Sequence, residues 1–495
     1  MTLKGFTREF KPLEILSEVE VEAIHKGTLD VLWGTGLRFE HEGALKLFQK
    51  EGCKVDHGNR RVRFPPGLVE ECLRKCPSSF RVKARDPKND IIVGANTLYM
   101  GTFPGMQTVD LNTWQARPPT KQEFYQAVAL LDGLENLHYI HNYSPWFGYE
   151  GVPPVMCLPE GFAARTRNSS KVQKEGYSKE SEIFTIAMSK AVGAELICST
   201  MASPPLTYYS EAIESLRRGL EADFPVFLTS GAMMGATAPA TIAGSMLTSN
   251  AEVIAGLVLA QLIKPGARVA VQHFVFSQNM RSGSPIFGGI ESALHLAKFN
   301  QVFRTLGIPV SNLTPGTTNS KMIDFQCGYE KAVGLTISAL SGANIACFHG
   351  NIFGEITFHP LQAILDDDIA GMIGRFLRGG EVNDETLAID LISQVGPIPG
   401  HFLNTGHTRK WWKVEQFFPK AVDRLTYPEW LNVGKKGCLD YAKERMDEIV
   451  ATHRPTPLTG NQDAEIEGIL TEARKYYKDK GLISDEETRM YETIK

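Results

Sequence analysis

The chain of 495 residues has 43% hydrophobic and 22% charged residues and a formal net charge of −4. Its length permits one large domain with additional segments, and its charge argues against a nucleic-acid or anionic-membrane partner. The first residues contain no apolar signal-peptide core, and the eight cysteines form no CxxC pairs. We therefore expect a cytoplasmic protein with free thiols.

Residues 1–117 predict a small α+β cap. Two helical segments, each ended by a glycine, occupy residues 14–52, and a shorter helix follows in residues 66–75. Short alternating segments in residues 80–117 are typical of strands, which we interpret as a β-meander. No residue pattern in residues 14–75 requires a chemical role.

Residues 118–405 alternate between helical and strand-like segments. The predicted strands are HYIHNYS, AELICSTMA, PVFLTSG, RVAVQHFVF, PVSNL and NIACFHG, and a long proline-rich loop follows the first of them. This alternation is typical of a parallel sheet covered by helices, and it predicts a (β/α)₈ TIM barrel. An open doubly wound sheet is the alternative, although neither GxGxxG nor GxxxxGK[ST] supports a nucleotide site.

One apolar segment, residues 239–263, has roughly the length of a membrane span. Polar residues interrupt it, and Lys264-Pro265-Gly266 ends it, so we predict a helix buried between the sheet and its neighbours.

Residues 406–495 predict a C-terminal helical extension. Its first part is dense in aromatic residues: Trp411, Trp412, Phe417, Phe418, Tyr427 and Trp430. We interpret these residues as packing the extension onto the barrel. An association surface for another subunit or partner is the alternative, and it makes a homo-oligomer a hypothesis.

The predicted strand NIACFHG ends in Phe348-His349-Gly350-Asn351, where parallel barrels place their chemistry. Other predicted strand ends also supply aromatic and neutral polar residues rather than pairs of carboxylates, which argues against a glycosidase. No GxSxG motif indicates a hydrolase. His138 and His141 would point to opposite faces of one strand, so we expect no metal site.

An aromatic cup with amide, imidazole and guanidinium donors suits a small quaternary ammonium compound that carries a carboxylate. Ring faces bind the cation with roughly 0.5–2 kcal/mol each, and the polar donors bind the carboxylate.

Several segments resemble the trimethylamine methyltransferase family. They include GTLDVLWGTG, VRFPPGLVEECLRKCP, TAPATIAGSMLTSNAEVIAGLVLAQLIKPG, MRSGSPIFGGIES, NSKMIDFQCGYEKAVGLTISALSGAN and FGEITFHPLQAILDDDI. The resemblance implies a (β/α)₈ barrel that transfers a methyl group from a methylamine to the cobalt of a small corrinoid protein. Archetypal members carry pyrrolysine in the loop after the seventh strand. Here the corresponding residues 351–357 contain only standard amino acids, and the pyrrolysine position aligns best near Gly354 or Glu355. In this respect the chain resembles family members that use quaternary amines such as glycine betaine.

The resemblance implies a corrinoid carrier protein as partner and no tightly bound cofactor. We assign substrate orientation or catalysis to His349, Asn351 and Gln326, and substrate binding to Phe348, Trp146, Tyr143, Phe276, Tyr99, Phe103, Phe353 and Arg281. A lyase acting on the same ligands and a betaine-binding protein without turnover are the alternatives.

Overall fold

The computed structural model describes residues 4–492, and its centre is a closed barrel of eight parallel strands. Each strand pairs with the next, and the eighth pairs with the first. The strands are β1 (Thr97–Thr102), β2 (Tyr139–Ile140), β3 (Val172–Glu175), β4 (Leu196–Ala202), β5 (Val226–Ser230), β6 (Val269–His273), β7 (Val310–Asn312) and β8 (Ile345–His349). The predicted TIM barrel is confirmed.

Eight helices cover the outside of the barrel, one after each strand. They are α1 (Lys121–Gly133), α2 (Cys157–Asn168), α3 (Glu182–Ala191), α4 (Ser210–Glu221), α5 (Ile242–Ile263), α6 (Ile290–Thr305), α7 (Phe325–Leu340) and α8 (Pro360–Leu377). The long loop that we predicted after β2 is wrong, because it contains helix α2 and strand β3.

The amino-terminal segment is an α+β cap, but it ends earlier than predicted. Its helices are Glu18–Asp30, Glu42–Lys50 and Pro66–Lys75, with a π-turn at Val31–Thr35, and its small sheet contains Leu37–Phe39, Lys54–Asp56 and Arg61–Arg63. The boundary at residue 117 is wrong. The segment Thr97–Thr102 that we placed in a β-meander is the first barrel strand, paired with β2 and β8.

A hairpin closes the amino-terminal end of the barrel. Its strands, Ser79–Val82 and Ile91–Gly94, pair antiparallel. Phe80 and Val93 belong to the same buried apolar cluster as inward-facing barrel residues such as Phe227. Ligands therefore reach the barrel interior from the opposite end, where the carboxyl ends of the strands lie.

Helix α5 is the apolar segment that we predicted to be buried. It is long and apolar enough to cross a membrane by length and composition, but 78% of its most apolar 18-residue window is buried inside the protein. It packs against β5 and against the cap helices Glu18–Asp30 and Pro66–Lys75. The prediction of a buried helix is confirmed.

The carboxyl-terminal extension begins after α8, earlier than the predicted residue 406. Its helices are Asp384–Leu387, Ile389–Val395, Gly406–Glu415, Tyr427–Asn432, Cys438–Thr452, Gly460–Asp479 and Asp485–Glu492. Cys438–Thr452 packs on α1 and α8, and Gly460–Asp479 packs on α2 and α3. The extension therefore covers one side of the helix layer.

A buried ion pair fixes the end of β8 to the helix layer. The Lys331 ammonium on α7 lies 2.8 Å from the Asp366 carboxylate on α8, and both side chains are fully buried. The same ammonium also reaches the carbonyls of Phe348 and Asn351, and Asp366 accepts from the backbone N–H of Gly350 at 2.7 Å.

We predict that Lys331→Met lowers the free energy of unfolding by about 3–5 kcal/mol, because the Asp366 carboxylate stays buried without its counter-charge. Urea unfolding followed by circular dichroism measures the loss. Lys190→Met, on an exposed position of α3, is the control and should change stability by less than about 0.5 kcal/mol. A loss below about 1 kcal/mol for Lys331→Met would contradict the assigned role.

Candidate functional site

Loops from four strands converge at the open end of the barrel, which we call the mouth. In the loops after β2 and β3, Tyr143 lies against Gly176, where a Cβ would stand 2.2 Å from the tyrosine hydroxyl oxygen. In the loops after β6 and β8, Phe287 lies so close to Gly354 that a Cβ there would stand 2.3 Å from its ring. Glycine at these two positions allows the aromatic side chains to approach the backbone.

Two of the predicted aromatic residues have a strained backbone. Tyr143 has φ 62° and Phe353 has φ 51°, values that bulky side chains rarely adopt. Both residues are half-buried at the mouth. Strain of this kind persists where the surrounding structure imposes it, and it is found preferentially at functional sites.

A row of aromatic rings continues from the barrel interior to the mouth. Phe274 packs edge-on against Phe276 with ring centroids 4.9 Å apart, and Phe276 packs against Phe287 at the same distance. Phe103, which follows β1, belongs to the apolar cluster of the barrel interior. The structure thus places Phe103, Phe276, Tyr143 and Phe353 around the mouth, and their contact with substrate stays a prediction.

Glu355 is a mouth carboxylate that our sequence assignment omitted. Its side chain is half-buried, and burial raises its pKa above the usual range. Burial also raises the pKa of Tyr143, and the carboxylates of Glu175 and, more weakly, Glu355 add to this effect. The carboxylate therefore lies near an aromatic wall, a combination that suits a bound cation.

A β-bulge at the end of β8 turns Phe348 and His349 away from the barrel interior, so their predicted roles at the substrate are corrected. The register with β1 shifts between Cys347 and His349, so two successive side chains turn away from the interior. Phe348 packs in an apolar cluster with residues of α7 and α8. The His349 ring lies 3.4 Å from the Gly101 carbonyl and 3.5 Å from Asp367 on α8. Neither side chain faces the mouth.

Asn351 and Gln326 support loops rather than face the barrel interior. The Asn351 side-chain oxygen accepts from Lys331 at 2.9 Å. Gln326 donates to Glu330, whose carboxylate accepts from Thr318 in the loop after β7. The carbonyl of Thr318 accepts from the N–H of Gly354 at 2.9 Å. Both side chains therefore hold the loop after β8, and their predicted direct role with substrate is corrected.

Three other assigned residues lie away from the mouth. Trp146 is buried against Phe124 and Phe358 in the helix layer, and its indole donates to the Phe358 carbonyl. Tyr99 stands at the amino-terminal end of β1, where its hydroxyl accepts from Ile92 N. Arg281 is exposed at the tip of a hairpin between short strands. We therefore correct all three substrate-binding assignments.

A polar layer crosses the barrel interior below the mouth, and we call it the floor. The Lys174 ammonium on β3 donates to Gln272 on β6 at 2.5 Å and lies 3.1 Å from His141 Nε2. Gln272 in turn donates to Ser311 on β7 at 2.9 Å. Burial lowers the pKa of Lys174 to about 7, and nearby Cys347 and Glu175 oppose this shift.

Sequence reasoning missed Lys174 because strand β3, KVQKE with its preceding lysine, does not read as a buried strand. The helix that precedes β3 and the eightfold repeat are the signals that could have located it. Burial and the adjacent Lys174 both lower the pKa of His141, which keeps this imidazole neutral. Within residues 4–492, no group of three His, Cys, Asp or Glu side chains is arranged to hold a metal.

Comparisons with known proteins give a consistent family. The family model "Trimethylamine methyltransferase (MTTB)" matches residues 1–144 and 183–476. A glycine betaine methyltransferase of Desulfitobacterium hafniense is 30% identical over 93% of this chain and 97% of its own length. A trimethylamine methyltransferase of the same species is 30% identical over 93% and 94%.

The solved structure of a monomethylamine methyltransferase from Methanosarcina barkeri aligns with a TM-score of 0.48 and 14% identity, covering 94% of this chain and 95% of that chain. The family-model match and the two relatives span almost the whole sequence. The chain belongs to the trimethylamine methyltransferase family.

Proposed function

We propose that this chain transfers a methyl group from a quaternary amine that carries a carboxylate, such as glycine betaine, to the Co(I) of a corrinoid protein. The carrying observation is the mouth itself, where Tyr143 is held in a strained conformation near the Glu355 carboxylate. Phe353 is also strained, and the Lys321 ammonium lies 4.3 Å from its ring centroid. Aromatic faces and one carboxylate can hold an onium group without sharing a proton with it. The similarity to a glycine betaine methyltransferase supports this substrate class.

The chemistry requires positioning rather than acid catalysis. A quaternary nitrogen leaves as a neutral tertiary amine when its methyl carbon is attacked in line, so no protein acid is needed. The protein has to hold the cation and direct one methyl group outward. The loop after β8 fits this task, because Lys331, Asp366 and Gly354 fix it through buried hydrogen bonds.

The acceptor must dock across the mouth, because a corrinoid is too large for the barrel interior. We therefore propose a corrinoid carrier protein as partner and no tightly bound cofactor in this chain. A cytoplasmic location remains a prediction. Self-association remains one as well, and Phe418 and Tyr427 of the extension, exposed by 53% and 70%, would favour it.

We predict that the purified chain forms methylcobalamin and dimethylglycine from glycine betaine and free cob(I)alamin. The visible absorbance change of the corrinoid and mass spectrometry of the amine measure the two products. We expect trimethylamine to give less than a tenth of the glycine betaine rate, because residues 351–357 lack the pyrrolysine that archetypal members of the family carry in this loop.

The two alternative functions predict other products. A lyase would consume the betaine without forming dimethylglycine, and a binding protein would bind it without methylating the corrinoid. Either result would reject the proposed reaction.

We predict that Tyr143→Leu raises the KM for glycine betaine by about 5–30-fold, because it removes a ring face worth roughly 1–2 kcal/mol to a desolvated cation. Steady-state kinetics with cob(I)alamin measure the change. Phe348→Leu is the matched control, since this buried ring lies in the helix layer. An equal rise in KM for both variants would show that Tyr143 acts only through packing.

We predict that Glu355→Gln raises the KM of every quaternary amine, with or without a carboxylate. The raised pKa of Glu355 gives this effect a pH dependence. In the parent protein, KM should fall as pH rises and the carboxyl ionises, and in the variant this fall should disappear. A pH profile of KM from 5 to 8 with tetramethylammonium measures both effects. An unchanged profile would remove Glu355 from the cation site.

A further inference from the structure

Lys174 on the barrel floor is a buried lysine whose hydrogen-bond partners are neutral. Its ammonium contacts the Gln272 amide oxygen and the imidazole of His141. Within residues 4–492, no carboxylate oxygen forms an ion pair with it: Glu175, the adjacent residue on β3, is paired with Arg165 in the helix layer. A buried charge without a counter-charge is costly, and a group of this kind in a barrel interior points to a ligand contact.

The other fully buried lysines show how this fold satisfies a structural ammonium. Lys331 is paired with Asp366, and its ammonium also donates to the carbonyls of Phe348 and Asn351. Lys171 donates to the carbonyls of Leu131 and Leu134, each at 2.8 Å. An ammonium can donate three hydrogen bonds. Lys171 and Lys174 each make two, but the partners of Lys171 belong to helix α1 and its end, whereas those of Lys174 lie inside the barrel.

Two further observations indicate that the floor can receive a ligand. Tyr139, one layer from His141 on β2, is fully buried inside the barrel, and its hydroxyl has no hydrogen-bond partner. Ser199 on β4 alternates with Ile197 of the interior cluster, yet keeps 8% of its surface accessible. By strand register, Tyr139 lies one inward-facing position below Lys174 and Ser199 one above it, on the two strands that neighbour β3.

The floor leads directly to the mouth. Met201 follows Ser199 by two residues on β4, and Phe274 follows Gln272 by two residues after β6, so both side chains stand one layer nearer the mouth. Both are half-buried. They meet over Gly231, where a Cβ would stand 2.2 Å from Met201 Cε and 3.3 Å from Phe274. A ligand that reaches the floor therefore passes these two side chains.

We infer that Lys174 is the counter-ion of the substrate carboxylate, and that it selects zwitterionic betaines over quaternary amines without a carboxylate. This inference rests on the proposed function. The carboxylate would accept from the Lys174 ammonium at the floor, and the onium group would remain at the mouth between Tyr143, Phe353 and Glu355. The substrate's two charges would each meet the opposite charge at one end of the cavity.

The charge of Lys174 depends on pH near neutrality. Lys174 faces neutral His141 on β2, Gln272 on β6 and the Cys347 thiol on β8, while Glu175 is occupied by Arg165. Burial lowers its pKa to about 7, so the free protein loses the charged form as pH rises above 7. A carboxylate binds the charged form, and its affinity should fall above that pH.

The experiment compares glycine betaine with tetramethylammonium, which has the same onium group and no carboxylate. Isothermal titration calorimetry on the purified chain gives both dissociation constants without any corrinoid. We expect Lys174→Met to weaken glycine betaine by at least about 30-fold and tetramethylammonium by less than about threefold. Lys174→Gln, which keeps a polar group without the charge, should behave in the same way.

Lys171→Met is the matched control, because it removes a buried lysine three residues away whose partners are backbone carbonyls. It should lower the melting temperature and leave the ratio of the two dissociation constants unchanged. In the parent protein this ratio should move against glycine betaine between pH 7 and 9, and in Lys174→Met it should stay constant. The effect of Glu355 cancels in the ratio.

Several outcomes would overturn the inference. Equal weakening of both ligands by Lys174→Met would show a structural role, and binding of acetate alone as tightly as glycine betaine would show a general anion site. Absence of glycine betaine binding at tens of millimolar would also reject it. Binding with the expected ratio but no methylcobalamin would instead reject the proposed reaction and leave the Lys174 assignment supported.

Discussion

Pairing of β8 with β1 closes the barrel, and this closure decides which side chains a ligand can meet. Along a regular strand, alternate residues face the interior, but the register shifts between Cys347 and His349. Cys347 faces the interior, whereas Phe348 and His349 turn to the helix layer. The chain then enters the loop after β8 from the outer side, where Lys331 and Asp366 hold it.

The sequence predicted the barrel because strand and helix alternate over most of the chain, and strands such as β5 and β6 begin with apolar runs, VFL and VAV. The sequence pattern did not predict a strand that is buried but contains charged residues. Strand β3 has Lys171 before it and contains Lys174, so its pattern resembles a loop. Strand β1 was placed in a meander because a hairpin, rather than a helix, lies directly before it in the sequence. Because β1 and β3 were not recognised, we matched the loop at residue 351 to the loop after the seventh strand, whereas it follows the eighth.

Site prediction from strand ends found the right region and only some of the residues. Tyr143, Phe276 and Phe353 lie at the mouth, because loops after parallel strands converge there. Periodicity could not show that Trp146 packs under α1 or that a bulge turns His349 outward, since both depend on tertiary contacts. The strain at Tyr143 and Phe353 is equally invisible in sequence, because φ is set by the packed loops.

Charge is distributed unevenly along the barrel interior, and this asymmetry follows from how the barrel satisfies its buried ions. On the outer side of the barrel, Arg165 forms an ion pair with Glu175, and Lys331 forms one with Asp366; both pairs stabilise the loops. Inside, Lys174 has only neutral partners. An ammonium at the floor and a carboxylate at the mouth would favour a ligand of opposite polarity, held with its anionic end inward. In the proposed reaction such a ligand would present its onium methyl groups to the mouth, from which the proposed corrinoid protein would approach.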